Sequence, residues 1–356
     1  MSRPPLDIRQ ATEADAARWD AFALGHPAAE KYHLYGWRRV IERTFGHPTH
    51  YLLAEREGEV RGLLPLAQLK SRLFGNFLVS LPFFNYGGIL AADDDAGRAL
   101  LGRAVELAGG LKAAHLEMRH ATPLEWFGGG GAGGGHYGTR RHKVSMRLPL
   151  PGSPEALWAS FRSKLRSQIR KPLKEGCRAV VGGSELVGDF YRVFARNMRD
   201  LGTPVYPRAL FENVMAEFAA DSRIGVVYHH DGPVAAGLVV GLRRDVLEIP
   251  WASSLRSHAR LAPNMLLYWS LLELAASHGY RTFDFGRSTP QGPTYRFKEQ
   301  WGAKPLPLSW HYWSPAPEVA DLSPANARFS LAIALWRRLP LGVANSLGPS
   351  IVKYLP

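Results

Sequence analysis

"NMLLYWSLLELAASHGYRTFDFGRS", Asn264–Ser288, reads as a long apolar helical run, a Gly-Tyr break and a short strand. In that strand Asp284 alternates with Phe283 and Phe285, so it points to the opposite face from both. The same order occurs earlier in the chain. "GRALLGRAVELAGG" (Gly97–Gly110) is followed by "AAHLEMRH" (Ala113–His120), with Glu117 where the later copy has Asp284. Upstream of each copy lies an apolar run, a two-residue turn and a second apolar run. These are "YLLAEREGEVRGLLPLA" from Tyr51 and "GVVYHHDGPVAAGLVVG" from Gly225. Each is a β-hairpin signature, with expected turns at Glu57-Gly58 and Asp231-Gly232. Recurrence of hairpin, helix and acidic strand in one order predicts two α/β (α+β) units in tandem, with mixed sheets flanked by helices. The expected boundaries are 1–150 for the first unit, 151–314 for the second, and 315–356 for a tail packing on the body.

The 356 residues suffice for two domains of ordinary size, and 46% are hydrophobic, enough for sizeable cores. The single cysteine, Cys177, excludes intramolecular disulfides and any cysteine-based zinc site. The start, "MSRPPLDIRQ", lacks the apolar stretch of a signal peptide. No run approaches the roughly 18–20 apolar residues of a spanning helix. The expected location is therefore cytoplasmic. The net charge of +13, from 44 Lys+Arg against 31 Asp+Glu, favours an anionic partner. The histidines of "HPTH" and "HH" lack metal-site spacing with an acidic partner, so no catalytic metal is expected.

Between the two copies lies "GGGGAGGGHYG" (Gly128–Gly138), which has no following Lys-Ser/Thr and reads as a surface loop rather than a phosphate-binding loop. Next comes "EALWASFRSKLRSQIRKPLKEG" (Glu155–Gly176). Leu157, Phe161, Leu165 and Ile169 form one helical stripe, and Arg162, Arg166 and Arg170 a second. Six basic residues and no acid fall between Ala156 and Lys174. One sign of charge on one face suits an anion, although a solvated face is the ordinary use of such a run. Pro172 is expected to end or kink the helix. The tail from Pro315 holds "ARFSLAIALWRRLPLGVANSLGPSIVKYLP", apolar with basic punctuation; it suits docking on the body, with a membrane-surface contact as the alternative.

Five stretches together resemble the FemAB-like proteins associated with the PEP-CTERM/exosortase system: "KSRLFGNFLVSLPFFNYGG", "KLRSQIRKPLKEG", "NMRDLGTPVYPRALFENVMAEF", "FDFGRSTPQGPTYRFKEQWGAKPLPLSWHYW" and "RRLPLGVANSLGP". The resemblance implies two tandem GNAT-like acyltransferase domains. It implies transfer of an aminoacyl or acyl group from an activated donor to an amine. The donor would be aminoacyl-tRNA or an acyl/aminoacyl carrier protein, and the setting the cell envelope, exopolysaccharide or protein sorting. The glycine-rich stretch and Pro172 depart from the family pattern. A non-catalytic anion-binding protein with degenerate GNAT domains is the reading from another class.

Acyl transfer to an amine needs a deprotonated nucleophile, oxyanion stabilisation and excluded water. No G-x-S-x-G elbow is present, so direct attack in a ternary complex is expected rather than an acyl-enzyme. Lys298, in "FKEQWG", matches the lysine of the Fem C-terminal motif, which implies stabilisation of developing negative charge or of a phosphate-rich donor end. Asp284 could orient or deprotonate the amine, or pair with Arg287; Arg287 could fork a carboxylate or phosphate. Tyr295 and Trp301 flank the lysine and, with Tyr206 and Asn264, are expected to contact substrate. Packing for Tyr206 and N-capping for Asn264 are the plain alternatives. Arg166 and Arg170 are expected to meet the donor. GNAT enzymes that use acetyl-CoA carry R/Q-x-x-G-x-G/A where the helix starts, to hold pyrophosphate on backbone amides. "RLAPNMLL" and "YGGILAADDDAGRALL" do not match it, so no conventional CoA cofactor is expected.

Overall fold

The computed structural model describes residues 4–128, 134–242, 245–317 and 330–355. The middle of the glycine-rich stretch and residues 318–329 of the tail lie outside the described residues. Contacts divide the chain into two units. Unit 1 is Met1–His142 with Pro307–Leu322 and Lys353–Pro356; unit 2 is Lys143–Leu306 with Ser323–Val352.

Unit 1 opens with β1 (Asp7–Gln10), α1 (Ala16–Gly25), α2 (Gly36–Phe45), β2 (Leu52–Arg56) and β3 (Glu59–Leu64). It continues through β4 (Ala67–Ser71), β5 (Gly75–Val79), β6 (Leu90–Ala91), α3 (Asp94–Gly110), β7 (His115–His120) and β8 (His136–Arg140). The β2–β3 hairpin turns at Glu57 (φ 51°) and Gly58 (φ 81°). Both residues are left-handed, as a two-residue turn matched to strand twist requires. The first sheet has the order β1-β2-β3-β6 and is antiparallel throughout. Helix α3 covers it with Ala96, Leu100, Ala104 and Ala108, all fully buried, at helical spacing against Leu52, Ala54 and Leu64.

Unit 2 comprises β9 (Val144–Pro149), α4 (Pro154–Ser160), α5 (Ser163–Lys174), β10 (Cys177–Gly182), α6 (Val187–Leu201) and α7 (Arg208–Glu217). Then follow β11 (Ser222–His229), β12 (Gly232–Leu242), β13 (Val246–Ser254), α8 (Pro263–Ser277), β14 (Thr282–Ser288), α9 (Pro293–Glu299) and β15 (Lys304–Pro307). The strands form one sheet of order β10-β11-β12-β13-β14-β9-β15. The chain then supplies β16 (Ser309–Ser314) to the second sheet of unit 1, β4-β5-β7-β16-β8. Last come α10 (Ser330–Trp336) and α11 (Leu341–Val352). The core of unit 2 gathers α8 residues such as Leu267, Leu271 and Ala275 with Phe283, Phe285 and Trp301.

Four local expectations are corrected. The run from Glu155 is not one helix, because Phe161 (ψ 141°) and Arg162 (ψ 150°) are extended and separate α4 from α5. The turn sets Phe161 edge-on to Trp301 at 5.6 Å, and Arg162 becomes the N-cap of α5. Pro172 neither ends nor breaks α5, which continues to Lys174. In the last turn the missing N–H removes a single intrahelical bond, and Glu175 N–H closes the end on the Lys171 carbonyl at 3.1 Å. The β11–β12 hairpin turns at His230-Asp231, one residue earlier than expected, with His230 at φ 50° and Gly232 already in β12. Finally, contacts divide the chain after His142 rather than at 150, because β9 pairs with β14. They assign residues 307–314 to unit 1 because β16 pairs with β7 and β8.

Candidate functional site

The acidic strands are equivalent in their sheets. In unit 1, β7 pairs parallel with β5 and antiparallel with β16; in unit 2, β14 pairs parallel with β13 and antiparallel with β9. The β13–β14 ladder lasts three residues and stops at Glu248↔Asp284. Yet β13 runs on to Ser254 and β14 to Ser288, so the two strands part. A bulge beside β12 between Leu238 and Val240 sets Ile249 and Pro250 opposite one residue and bends β13 at this point. Pro250 is tolerated there because a bulge leaves one residue outside the ladder. Beyond Glu248, among the described residues, no further ladder pairing joins the edge of β13 to β14. An extended, carbonyl-bearing ligand can hydrogen-bond to such an edge as an added strand does.

Lys298 lies at this fork. It is 7% exposed on α9, and Nζ donates to the Gly286 and Arg287 carbonyls, both at 2.9 Å. Gly286 (φ 73°) is left-handed, which lets β14 present successive carbonyls to one ammonium. Burial pushes the lysine down to about 8; Asp284 and Glu248 oppose the shift, and Arg287 adds to it. The group is thus a cation at neutral pH, held by two bonds with a third N–H left to donate.

Asp284 is fully buried and acts differently. It accepts from Ser145 Oγ (2.6 Å), Gly286 N (2.7 Å) and Arg147 Nε (3.1 Å). A carboxylate so occupied positions the β14 turn and is poorly placed to take a proton from substrate. Arg147 of β9 ion-pairs with it, and the Arg287 side chain at the strand end is exposed. Ser145, Arg147 and Glu248 were missed from the sequence. "KVSMRLPL" alternates as a strand should, but nothing local says that it pairs with β14.

The remaining candidates fall into three places. Trp301, 1% exposed, is core: it meets Phe161 edge-on, with Tyr268 at 6.2 Å and Phe297 at 6.3 Å. It can bear on substrate only by holding α9. Tyr295 is half-buried on α9 against the same core. Asn264 is the second residue of α8 and not its N-cap; Ala262 is, at φ 54°, followed by Pro263. Tyr206 lies in the α6–α7 loop and stacks on Phe194 at 6.5 Å. On α5, Arg166 is half-buried and Arg170 exposed, its guanidinium 5.1 Å from the Trp158 ring. Cys177 is buried, and burial pushes its thiol up, which suits no nucleophile.

The counterpart in unit 1 is occupied by the chain itself. Past Val79↔Glu117, Ser80 N–H donates to the Glu117 carbonyl (2.8 Å), and Gly87 and Gly88 N–H donate to the Arg119 carbonyl (3.0 Å each). Arg119 donates to Glu117 (2.6 Å) and to the Phe84 carbonyl (2.6 Å), with its guanidinium 4.5 Å from the Trp310 ring. A Cβ at Gly88 would collide with the His120 imidazole, so this position requires glycine. A cavity of about 400 Å³ lies nearby, with His33, His120 and Asp94 among its walls, but it contains none of the sequence candidates. His33 is satisfied there, donating to the Gly88 carbonyl (3.1 Å) and accepting from Glu30 N (3.0 Å), and burial pushes it down to about 4. Unit 2 therefore holds the candidate site. Among the described residues no cluster of metal-ligating side chains exists.

Comparison with known proteins gives a family match within unit 2. Residues 159–299, which include the fork and Lys298, match the acetyltransferase (GNAT) domain family. No curated protein matches the chain. Among solved structures, FemX is similar at 16% identity and a TM-score of 0.65, covering 86% of this chain and 97% of its own. A tandem GNAT protein from the clavulanic acid biosynthesis pathway is similar at 15% identity and a TM-score of 0.57, covering 88% and 100%. The C-terminal domain (DUF2156) of a putative lysylphosphatidylglycerol synthetase from Agrobacterium fabrum is similar at 12% identity and 0.56, covering 90% and 96%. At these identities the likeness is one of fold: the chain is built as two GNAT-like units in tandem, in the manner of FemX, with an acetyltransferase-type domain in the second.

Proposed function

We propose that this chain is a Fem-type N-acyltransferase that moves an aminoacyl or acyl group from an activated donor to an amine. The observation that carries this reading is the fork between β13 and β14, with the buried cation of Lys298 beside it. The donor carbonyl would lie along the parted strand edge. The deprotonated amine attacks it, forming the C–N bond; the tetrahedral oxyanion collapses, and the C–O bond of an ester or C–S bond of a thioester breaks. The amine gives up one proton and the leaving oxygen or sulfur takes one. Lys298 would donate its third N–H to the developing negative charge, in a setting where burial makes that donation count for more than in water. The occupied carboxylate of Asp284 fixes the β14 carbonyls that aim the lysine. Arg287, exposed at the same strand end, would meet an anionic part of donor or acceptor.

Aminoacyl-tRNA is the preferred donor, because the basic face of α5 offers several cations to a polyanion. A carrier-protein thioester is the second reading, since carrier proteins are acidic and suit the same face. The five stretches of resemblance support placing the reaction with the PEP-CTERM/exosortase branch, in the cytoplasm and in service of the envelope. The test is mass spectrometry of products after mixing purified protein with charged tRNA, aminoacyl carrier protein and candidate amines. An amide product that depends on charged tRNA and on Lys298 is expected. Failure of every donor to give product would leave the anion-binding reading in its place.

A further inference from the structure

Eight large hydrophobic side chains are exposed among the described residues, and half of them fall on the last two helices: Leu331 (70%), Leu335 (55%), Val343 (42%) and Leu347 (49%). They come as two pairs, each four residues apart, so α10 and α11 each present one apolar stripe outward. A fifth, Leu201 (42%), adjoins them, because Arg337 donates to the Leu201 carbonyl through Nε (3.3 Å) and Nη2 (3.2 Å). The inner face of α11 is already committed, while α10 is only half-buried at Ile333 and Trp336. On α11, Ala344, Gly348 and Val352 are buried, and a Cβ at Gly348 would stand 2.8 Å from Val205 N. On α10, Ile333 packs over Gly202. Among the described residues these four outer side chains are exposed rather than packed in a core, and a soluble surface would carry polar residues there. Exposed apolar side chains scattered singly need no explanation, but a concentration on one element does.

The charge around them is predominantly basic. Residues 330–355 contain Arg337, Arg338 and Lys353 and no carboxylate, and α6, which packs on α11, adds the exposed Arg196; its Asp200, beside Leu201, is ion-paired with Arg199 at 2.8 Å. We propose that α10 and α11 dock on an anionic lipid surface, with Leu331, Leu335, Val343 and Leu347 entering the headgroup boundary and Arg338 meeting lipid phosphates. Apolar stripes flanked by cations on short helices are the chemistry of interfacial attachment, and no helix of the described residues is long and apolar enough to cross a membrane. The inference is independent of the acyl-transfer reading.

The experiment is co-sedimentation of the full chain with phosphatidylglycerol/phosphatidylcholine vesicles and with pure phosphatidylcholine vesicles. Binding is expected to the anionic vesicles only, and to weaken as salt is raised past the physiological range. Leu331→Ser/Leu335→Ser and Val343→Ser/Leu347→Ser should each reduce it by about tenfold or more, and Arg338→Glu by a smaller factor. Circular dichroism and sedimentation velocity of the same variants report folding and self-association. The proposal is overturned by absence of binding to anionic vesicles, by unchanged binding of the folded variants, or by a dimer that the leucine substitutions dissolve while vesicles are ignored. The last outcome would assign the face to a second copy of the chain.

Discussion

Lys298 concentrates the chemistry of unit 2 in one atom. Its burial is unfavourable for an ammonium, and two carbonyls plus nearby carboxylates offset the penalty only in part, so its pKa falls to about 8. If that cation stabilises the transition state, Lys298→Ala should lower turnover by roughly 10²–10³-fold. Circular dichroism should report an intact fold, and near-parental turnover in a folded variant would remove the lysine from the mechanism. The same acidity makes two pH statements. Turnover should fall as pH rises through about 8 and the third donor is lost. Stability moves the other way. Between about 8 and the lysine's ordinary 10.5, the unfolded chain binds a proton that the folded chain has released, so stability rises with pH across that window. Relative to Lys298→Met, which cannot titrate, the parent should gain about 3 kcal/mol from the lower to the upper end. Denaturant midpoints measured at both ends check this, and a difference that does not change with pH would show the lysine to be solvated.

Elements were legible where the pattern is local. The Glu57-Gly58 turn, the long helix before each acidic strand and the recurrence of both could be read from hydrophobic period and turn residues. The break between α4 and α5 could not, because Phe161 leaves the helix to reach Trp301, more than a hundred positions away. Trp301 stood out as an aromatic near a lysine, but burial cannot be told from substrate contact until the partner helix is known. Ser145 and Arg147 were missed because pairing between β9 and β14 has no local mark. The basic face of α5 survives the break, since Arg166 and Arg170 both lie within α5. Reversing it with Arg166→Glu and Arg170→Glu should weaken donor binding and flatten its salt dependence, with the slope falling by roughly one for each phosphate no longer neutralised. Arg170 also stacks on Trp158, so a small loss of thermal stability should accompany the change. Excess uncharged tRNA should inhibit transfer if the donor is aminoacyl-tRNA, and should do much less against a carrier protein. Unaltered transfer by the reversed protein at low and moderate salt would make α5 an ordinary solvated helix.

At the scale of the whole chain, neither unit is built from one continuous segment. The second sheet of unit 1 takes its strand β16 from beyond all of unit 2's strands, inserted between β7 and β8. That strand buries Trp310, Tyr312 and Trp313, each 8% exposed or less, and Arg119 stacks on Trp310. The Glu117 carboxyl is pushed up by burial, but Arg119 outweighs this and Tyr312 adds a hydrogen bond, so the net shift is downward. Removing β16 would therefore delete three buried aromatics, bare the apolar residues they cover and strip a buried ion pair of its cover. At roughly 2 kcal/mol per large side chain, the aromatic loss alone is about 6 kcal/mol, comparable to the whole stability of an ordinary domain. Residues 1–142 expressed alone should accordingly lack a cooperative thermal transition and should bind a hydrophobic dye. Residues 1–142 joined to 307–317 through a flexible glycine-serine linker should recover a single transition and lose dye binding. Within that linked protein, Tyr312→Phe should lower the transition modestly, because one hydrogen bond to a buried carboxylate is worth about 1.5–3 kcal/mol. Trp313→Ala should lower it further, through the cavity it leaves against Leu116 and Met118. A cooperative, dye-free transition in residues 1–142 alone would show that β7 and β8 can close the sheet without the returning strand, and that unit 1 folds before the rest of the chain is needed.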